Sequence, residues 1–585
     1  MYETFFMLEW KKEKIMPLGS MLNSLRLLMQ NLNSQSTTKI PVEKGKPDKP
    51  LIFPNGEKIH FLERKSPTEF GYSEEYIQSF INELNCDHSI KPNRLLIIKG
   101  NAVIGEQYLY PYVKDAWDAI FSASKTVTAL ALGVLYDQGK VDLDCPVCKI
   151  LGIENKIKVT GNKKITLRHL LTMSTGIRFN EVESVSSLKW TKSFFDSNAK
   201  FKLGSKFEYN SLNSYIVAMV VQKLSGQRFE EFVREHIFDK LDIGSAHFDT
   251  SEEDCFKGGW GLYMLPEDMA KLGILVRDYG LYKGKRIISK KWIKLMSTRQ
   301  FPASIYGREY DYGFQMWVDE IDDFCCFNGM YDQNILIYRR SGVVVVTCFA
   351  DNESFQGSNL FKIAAKYFSN ANMGDFDLFS YRGERNLKNE NELLYYFDQL
   401  VNKEYKVQNK IANSCGILPL LIQNEVSTYV KGIRSLSFKK ENDRLFFVVN
   451  EGGKKYEAEF SFEHGIRQTF NFYKNEYDCV VDARFILSGK SEPYLLVRFF
   501  FLEFSSSRYF TIKLGKDMDT ISVECSENPG IDFVNSIVQV QDETTKQLIN
   551  RMIKNMNPDL LTGKIRNIFS PIFIASVQTK PVKKQ

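Results

Sequence analysis

Hydrophobic positions along this chain change pattern twice. From about residue 66 to 370, helical spacing and strand alternation are mixed. The run RLLIIKGNAVIGEQYL reads as a β-hairpin, because two apolar segments flank Gly100-Asn101. SGVVVVTCFA is continuously apolar and β-branched, and reads as a buried strand. Residues 211–224 and 266–277 read as helices. Another helix is expected after Ser122, where Val127, Leu130, Ala131, Val134 and Leu135 recur at helical spacing and Gly139 ends the pattern.

After about residue 380 the texture shifts. NELLYYFDQLVNKEY predicts a helix. RSLSFKK, RLFFVVNE, KKYEAEFSF, CVVDARFIL, YLLVRFFFLEF, RYFTIKLG and TISVEC then follow at short intervals with turn residues between them. That spacing predicts antiparallel strands in a sandwich or barrel. TTKQLINRMIKNM predicts a last helix. Ahead of all this, STTKIPVEKGKPDKP is polar and rich in lysine and proline, as expected of a loosely ordered extension. The chain therefore divides into an extension (1–65), a mixed domain (66–370) and a β-rich accessory domain (371–585).

Composition changes this picture little. A chain of 585 residues is long enough for two to four domains. Its 43% hydrophobic and 25% charged content is that of an ordinary globular protein. A formal net charge of +6 is small for this length and gives no reason to expect nucleic acid. No stretch has the roughly 18 consecutive apolar residues of a membrane span. The opening MYETFFMLEWKKEKIM lacks the basic, apolar, small-residue order of a secretory signal, so a cytoplasmic location is expected. Ten scattered cysteines suit free thiols in a reducing compartment. Cys145-Pro-Val-Cys148 has metal or redox spacing but no second pair to complete four ligands, so it is read as structural. No phosphate loop or zinc motif is present, and no cofactor or metal is expected.

Candidate chemistry enters at Phe121-Ser122-Ala123-Ser124-Lys125. Ser122 and Lys125, three apart, share a helix face. A serine hydroxyl needs a base to become a nucleophile, and a buried lysine can serve. The helix start adds free backbone N–H groups that favour an oxyanion. Ser-x-x-Lys also begins at Ser36, Ser186, Ser197 and Ser437, so the tetrad alone does not single out Ser122.

Context does. Over residues 66–370 the chain resembles the serine β-lactamase-like hydrolases: class C β-lactamases, D-amino-acid peptidases, related esterases and 6-aminohexanoate-oligomer hydrolases. The resemblance rests on ordered motifs. These are FSASKTVTALALGVLYDQGKVDLDCPV, ITLRHLLTMSTGI, FKLGSKFEYNSLNSYIVAMVVQKLSGQRFEEFVREHIFDKLDI, GGWGLYMLPEDMAKLGILVRDYGLYKGKRIISKKWI, YGFQMWV and NGMYDQNILIYRRSGVVVV. It implies an α+β fold: a β-lactamase/transpeptidase-like domain, an antiparallel sheet flanked by helices, followed here by a mostly antiparallel β domain. It also implies Ser122 as nucleophile, Lys125 as the neighbouring amine, and Tyr209 as the tyrosine of a Tyr-x-Asn or Tyr-x-Ser motif. Either Lys125 or Tyr209 could be the acylation base.

Two positions depart from the family pattern. Ser211 stands where β-lactamases have Asn, and the ester- and amide-cleaving branches accept Ser there. Met330-Tyr331-Asp332 stands where the family carries Lys-Thr-Gly or His-x-Gly. The strand after it, from Gln333, is expected to offer the second oxyanion N–H. Met330 cannot replace the lysine that binds a substrate carboxylate, and Asp332 would repel one. The expected substrate is a small ester, amide or peptide-like molecule, neutral or amine-bearing. The alternatives are a degenerate binding protein of the same fold, or a β-lactamase or D,D-peptidase. The six histidines sit in no nucleophile-elbow context and are read as structural or surface residues.

Overall fold

The computed structural model describes residues 59–577 apart from several internal stretches, of which 374–396 and 531–569 are the longest. Most of the N-terminal extension and the helix expected at TTKQLINRMIKNM lie outside the described residues.

A nine-stranded sheet organises the first domain. Across it run Glu63–Arg64, Ala102–Tyr108, Pro92–Lys99, Val343–Phe349, Gln333–Tyr338, Phe324–Gly329, Trp317–Asp319, Arg308–Tyr312 and Phe301–Ile305. Every pairing is antiparallel except the edge pair Glu63–Arg64 with Ala102–Val103. The expected hairpin and buried strand are both present. The valine run of the latter is continuous because both faces of the strand are covered. Val344 and Val346 enter one apolar core, while Val343 and Val345 enter another on the opposite face. Leu96 and Ile98 divide from Leu95 and Ile97 in the same way.

Helices fill both faces. Helix Pro266–Arg277 lies across the central strands, and its Gly273 leaves no room for a Cβ between Val344 and Ile335. Helices Glu74–Cys86 and Leu360–Phe368 cover the other face through Tyr76, Phe80, Tyr367 and Phe368. Helix Ser124–Asp137 is buried from Ser124 through Leu135, as expected of a helix that is apolar all round. It packs on helices Ser211–Ser225 and Lys290–Met296.

Among the described residues the C-terminal domain is built on a ten-stranded antiparallel sheet. In order it runs Lys454–Phe460, Arg444–Glu451, Ile433–Glu441, Glu404–Val407, Ile572–Val577, Thr520–Asn528, Ser506–Leu514, Tyr494–Phe501, Asn475–Ile486 and Ile466–Phe472. Its two ends approach each other. Gln468 Nε2 donates to Glu459 O at 2.7 Å, and Glu459 N–H donates to Gln468 Oε1 at 3.1 Å. The sheet therefore curls into a near-barrel filled with aromatic side chains. Strand Thr520–Asn528 buries every second residue, the period of two that a one-sided core requires. One expectation needs correction. The helix read through NELLYYFDQLVNKEY does not extend to its end, because Glu404–Val407 is a strand paired on both sides. Tyr405 is pulled into the barrel core, and pairing with two neighbours overrides its local helical pattern.

The two domains share a core. Trp117, Phe121, Tyr263 and Tyr331 of the first domain lie in one apolar cluster with Tyr477, Phe504 and other residues of the second.

Candidate active site

Ser122 occupies a short 3-10 turn, Phe121–Ala123, that leads directly into helix Ser124–Asp137. The sequence pattern placed it on the helix itself; the structure puts it on the turn just ahead. The alignment with Lys125 survives, because residues three apart eclipse in 3-10 geometry. Lys125 is buried, and its Nζ lies 2.7 Å from Ser122 Oγ. Ser122 itself is only partly buried. The turn begins with Phe121 at φ 43°, a left-handed conformation that costs a non-glycine residue about 1–3 kcal/mol and needs surrounding structure to hold it.

A second bond fixes the lysine. Its Nζ donates to the carbonyl oxygen of Gly259 at 2.8 Å, and one turn further along the helix Thr128 Oγ1 donates to Gly258 O at 2.8 Å. This glycine pair is wedged against the helix that begins at Ser211. A Cβ on Gly259 would lie 2.6 Å from Ser211 O, and one on Gly258 would lie 2.6 Å from Ser214 O. The loop can approach so closely only without side chains. Gly258 and Gly259 were not among the expected site residues. The adjacent glycines in KGGWG were the available signal.

Tyr209 precedes the same helix. Asn210 caps it, accepting from Leu212 N–H at 2.9 Å and donating to the carbonyls of Ile177 and Phe179. That cap holds Tyr209 so that its ring lies 4.8 Å from Lys125 Nζ. The ring is stacked on Trp317 at 5.9 Å and meets Tyr312 edge-on. Ser122, Lys125 and Tyr209 thus converge from two elements. Ser211 is buried beside Gly259.

Beside the nucleophile turn lies the turn Met330–Asp332, between strands Phe324–Gly329 and Gln333–Tyr338. Gly329 abuts the Ile120 carbonyl, where any Cβ would overlap. Tyr331 and Asp332 both take positive φ, 59° and 57°. The turn is locked from behind. Gln333 is fully buried, and its Nε2 donates to Phe349 O at 2.6 Å and Tyr331 O at 3.2 Å. Thr347 Oγ1 donates to Asp332 O at 2.8 Å.

The side chains of this turn take separate paths. Tyr331 is buried, edge-on to Phe121 at 5.6 Å, inside the cluster shared with the C-terminal domain, and Met330 packs against the same cluster. Asp332 is partly buried, and its carboxyl receives Asn334 Nδ2 at 3.3 Å. Burial, and then the neighbouring Asp332 carboxyl, push Asp351 well above the usual carboxylate range.

His169 caps helix Leu167–Leu171 with Thr166, and His247 Nε2 donates to Asp249 Oδ1 at 3.0 Å. Cys148 is buried with its Sγ 3.2 Å from Lys163 O, and the ten cysteines carry no disulfide. Among the described residues no group of three His, Cys, Asp or Glu side chains is arranged to hold a metal ion. No described helix is long and apolar enough to cross a membrane.

Residues 82–365, just under half of the chain, match the family model described as Beta-lactamase. Two curated relatives carry hydrolase names. A 6-aminohexanoate-dimer hydrolase of Paenarthrobacter ureafaciens is 23% identical over 292 residues, covering 43% of this chain and 70% of that protein. A teichoic acid D-alanine hydrolase of Staphylococcus aureus is 24% identical over 365 residues, covering 55% and 86%. A solved putative 6-aminohexanoate-dimer hydrolase from Bacillus anthracis aligns with a TM-score of 0.44 at 17% identity, covering 57% of this chain and 91% of its own.

Proposed function

We propose that this protein is a serine hydrolase that cleaves an ester or amide through an acyl-enzyme on Ser122. The observation that carries this reading is the 2.7 Å approach of Lys125 Nζ to Ser122 Oγ, with that nitrogen also held by Gly259 O. Ser122 Oγ attacks the substrate carbonyl carbon, and its proton passes to the Lys125–Tyr209 pair. The tetrahedral intermediate collapses as the leaving alkoxide or amine takes that proton. Water then attacks the acyl carbon under the same base, and the serine recovers its proton. Backbone N–H groups at Ser122 and near Gln333 are assigned to the oxyanion.

Substrate choice follows from Met330, Tyr331 and Asp332. None is a cation that could hold a carboxylate, and Asp332 disfavours one. A neutral or amine-bearing acyl compound is the better fit. An amine-bearing acyl group also agrees with the relative named for teichoic acid D-alanine.

A fluorophosphonate probe with mass mapping tests the reading, run beside assays with p-nitrophenyl acetate and nitrocefin. An adduct on Ser122 and ester turnover are expected. Absence of any adduct would make the protein a binding module, and rapid nitrocefin turnover without ester cleavage would overturn the substrate class.

A further inference from the structure

We propose that the C-terminal β domain is a brace for the nucleophile turn, with Phe504 and Ser505 as its positioning residues. This rests on the serine-hydrolase reading above and adds that acylation of Ser122 depends on contacts supplied from the other domain.

The path begins four residues before the serine. Asp118, which with Ala119 forms a two-residue strand, is buried and ion-paired with buried Arg94. The C-terminal domain closes on both members of this pair. Ser505 Oγ donates to Asp118 Oδ1 at 2.9 Å, and Arg94 Nη2 donates to Leu502 O at 2.9 Å. Leu502–Phe504 is a single turn between two barrel strands, and Ser505 follows it at φ 45°. A turn held in that conformation is aimed at the first domain rather than left as a free loop.

Apolar contacts continue the path. Phe504 meets Tyr263 at 5.6 Å, and Tyr263 pairs with Ala119 in the small sheet beside the nucleophile turn. Phe121 and Tyr331, edge-on to each other, belong to the same cluster. Both residues sit at positive φ, one just before Ser122 and one on the turn Met330–Asp332. Such conformations persist only where packing over-determines them. The packing on these two is continuous with the C-terminal domain. Without it, Trp117, Phe121, Tyr263 and Tyr331 would face water, and the Arg94–Asp118 pair would lose the donor and acceptor that complete it.

Outer supports reinforce the seat. Arg467 bridges Asp115 and Asp478, and Tyr110 Oη donates to Asp482 at 2.8 Å. Asp115 lies three residues before Asp118, so the approach to the turn is tethered at successive points by the second domain.

The test uses the full-length protein and two variants: Ser505→Ala and Phe504→Leu. Amide hydrogen exchange over residues 119–125, read against strand Tyr494–Phe501, reports whether the turn is held. The second-order rate of fluorophosphonate labelling at Ser122 reports whether it is productive. In Ser505→Ala and Phe504→Leu, exchange over 119–125 is expected to speed up about tenfold. Labelling is expected to slow about ten- to a hundredfold. Unchanged exchange and labelling in either folded variant would overturn the brace. If the wild-type protein is not labelled at all, the hydrolase reading fails, while the exchange measurement still decides whether the second domain holds the turn.

Discussion

Lys125 Nζ donates to the Gly259 carbonyl at 2.8 Å, and that bond aims the same nitrogen at Ser122. The acceptor is in place because Gly259 presses on Ser211 without a Cβ. Gly259→Ala should push the loop off the Ser211 helix and move the acceptor. The expected loss in kcat/KM is about tenfold or more. Overpacking should lower the urea-unfolding free energy by about 1–3 kcal/mol. Full activity in this variant would show that the lysine is aimed by other contacts.

Ser122→Ala removes only a partly exposed hydroxyl, so its thermal midpoint should stay close to that of the parent. Turnover should fall by at least about 10³-fold, with probe labelling abolished. Lys125→Met fills the same buried space without the amine, and ester hydrolysis should fall as far. Steady-state assays and intact-mass labelling check both.

Tyr209→Phe keeps the ring that stacks on Trp317 and faces Lys125 while deleting the hydroxyl. If that hydroxyl moves a proton, kcat should drop about 10²- to 10⁴-fold with little change in thermal stability. Retention of activity would leave Lys125 as the sole base.

Helix Ser124–Asp137 carries the site on a tightly packed back. Gly133 lies against the Trp292 indole, which donates to Ala129 O at 3.0 Å. Gly133→Ala would force a methyl group into that ring. The cost should be about 1–3 kcal/mol of stability, with activity per folded molecule retained. Chemical denaturation combined with active-site titration separates the two quantities.

One pH effect follows from the core. Burial pushes Asp268 up to about 6, against the opposing influence of Lys271, whose Nζ lies 2.7 Å away. The folded state then holds this proton more tightly than the unfolded chain, whose Asp titrates near about 4. Stability from this group is complete below that unfolded value and is lost as pH rises through about 6. Asp268→Asn should remove this decline. Urea midpoints of the two proteins, compared between about pH 4 and 7, should converge at the acid end and separate above it.

Ser122, Lys125 and Tyr209 could be read from the chain because each is embedded in a long motif with its own helical or turn signature. Helix Pro266–Arg277 and strand Val343–Phe349 were legible for the same reason: one has a clear 3.6-residue period and the other an unbroken apolar run. What the chain hid depends on contacts between distant segments. Nothing local marks Gly259 as the acceptor for a lysine far upstream. Phe121 and Tyr331 look like ordinary aromatic residues until their backbone conformations and their shared cluster are seen. Met330, Tyr331 and Asp332 could be placed just ahead of the strand that begins at Gln333, but not their separate fates, with Tyr331 in the core and Asp332 beside Asp351. Strand Ile572–Val577 was not among the strands expected from the sequence, and one of its partners, Glu404–Val407, is remote in sequence.

That strand bears on the order of events during synthesis. Domains fold as they leave the ribosome, N-terminal first. Ser122, Lys125 and Tyr209 can therefore be assembled long before residue 572 is made. The curled sheet cannot join its two halves until Ile572–Val577 is inserted between them. The Phe504–Ser505 turn is seated on that sheet, so the support for the serine arrives last. A nascent chain carries its nucleophile early and gains the support of the second domain only after Ile572–Val577 has joined the sheet.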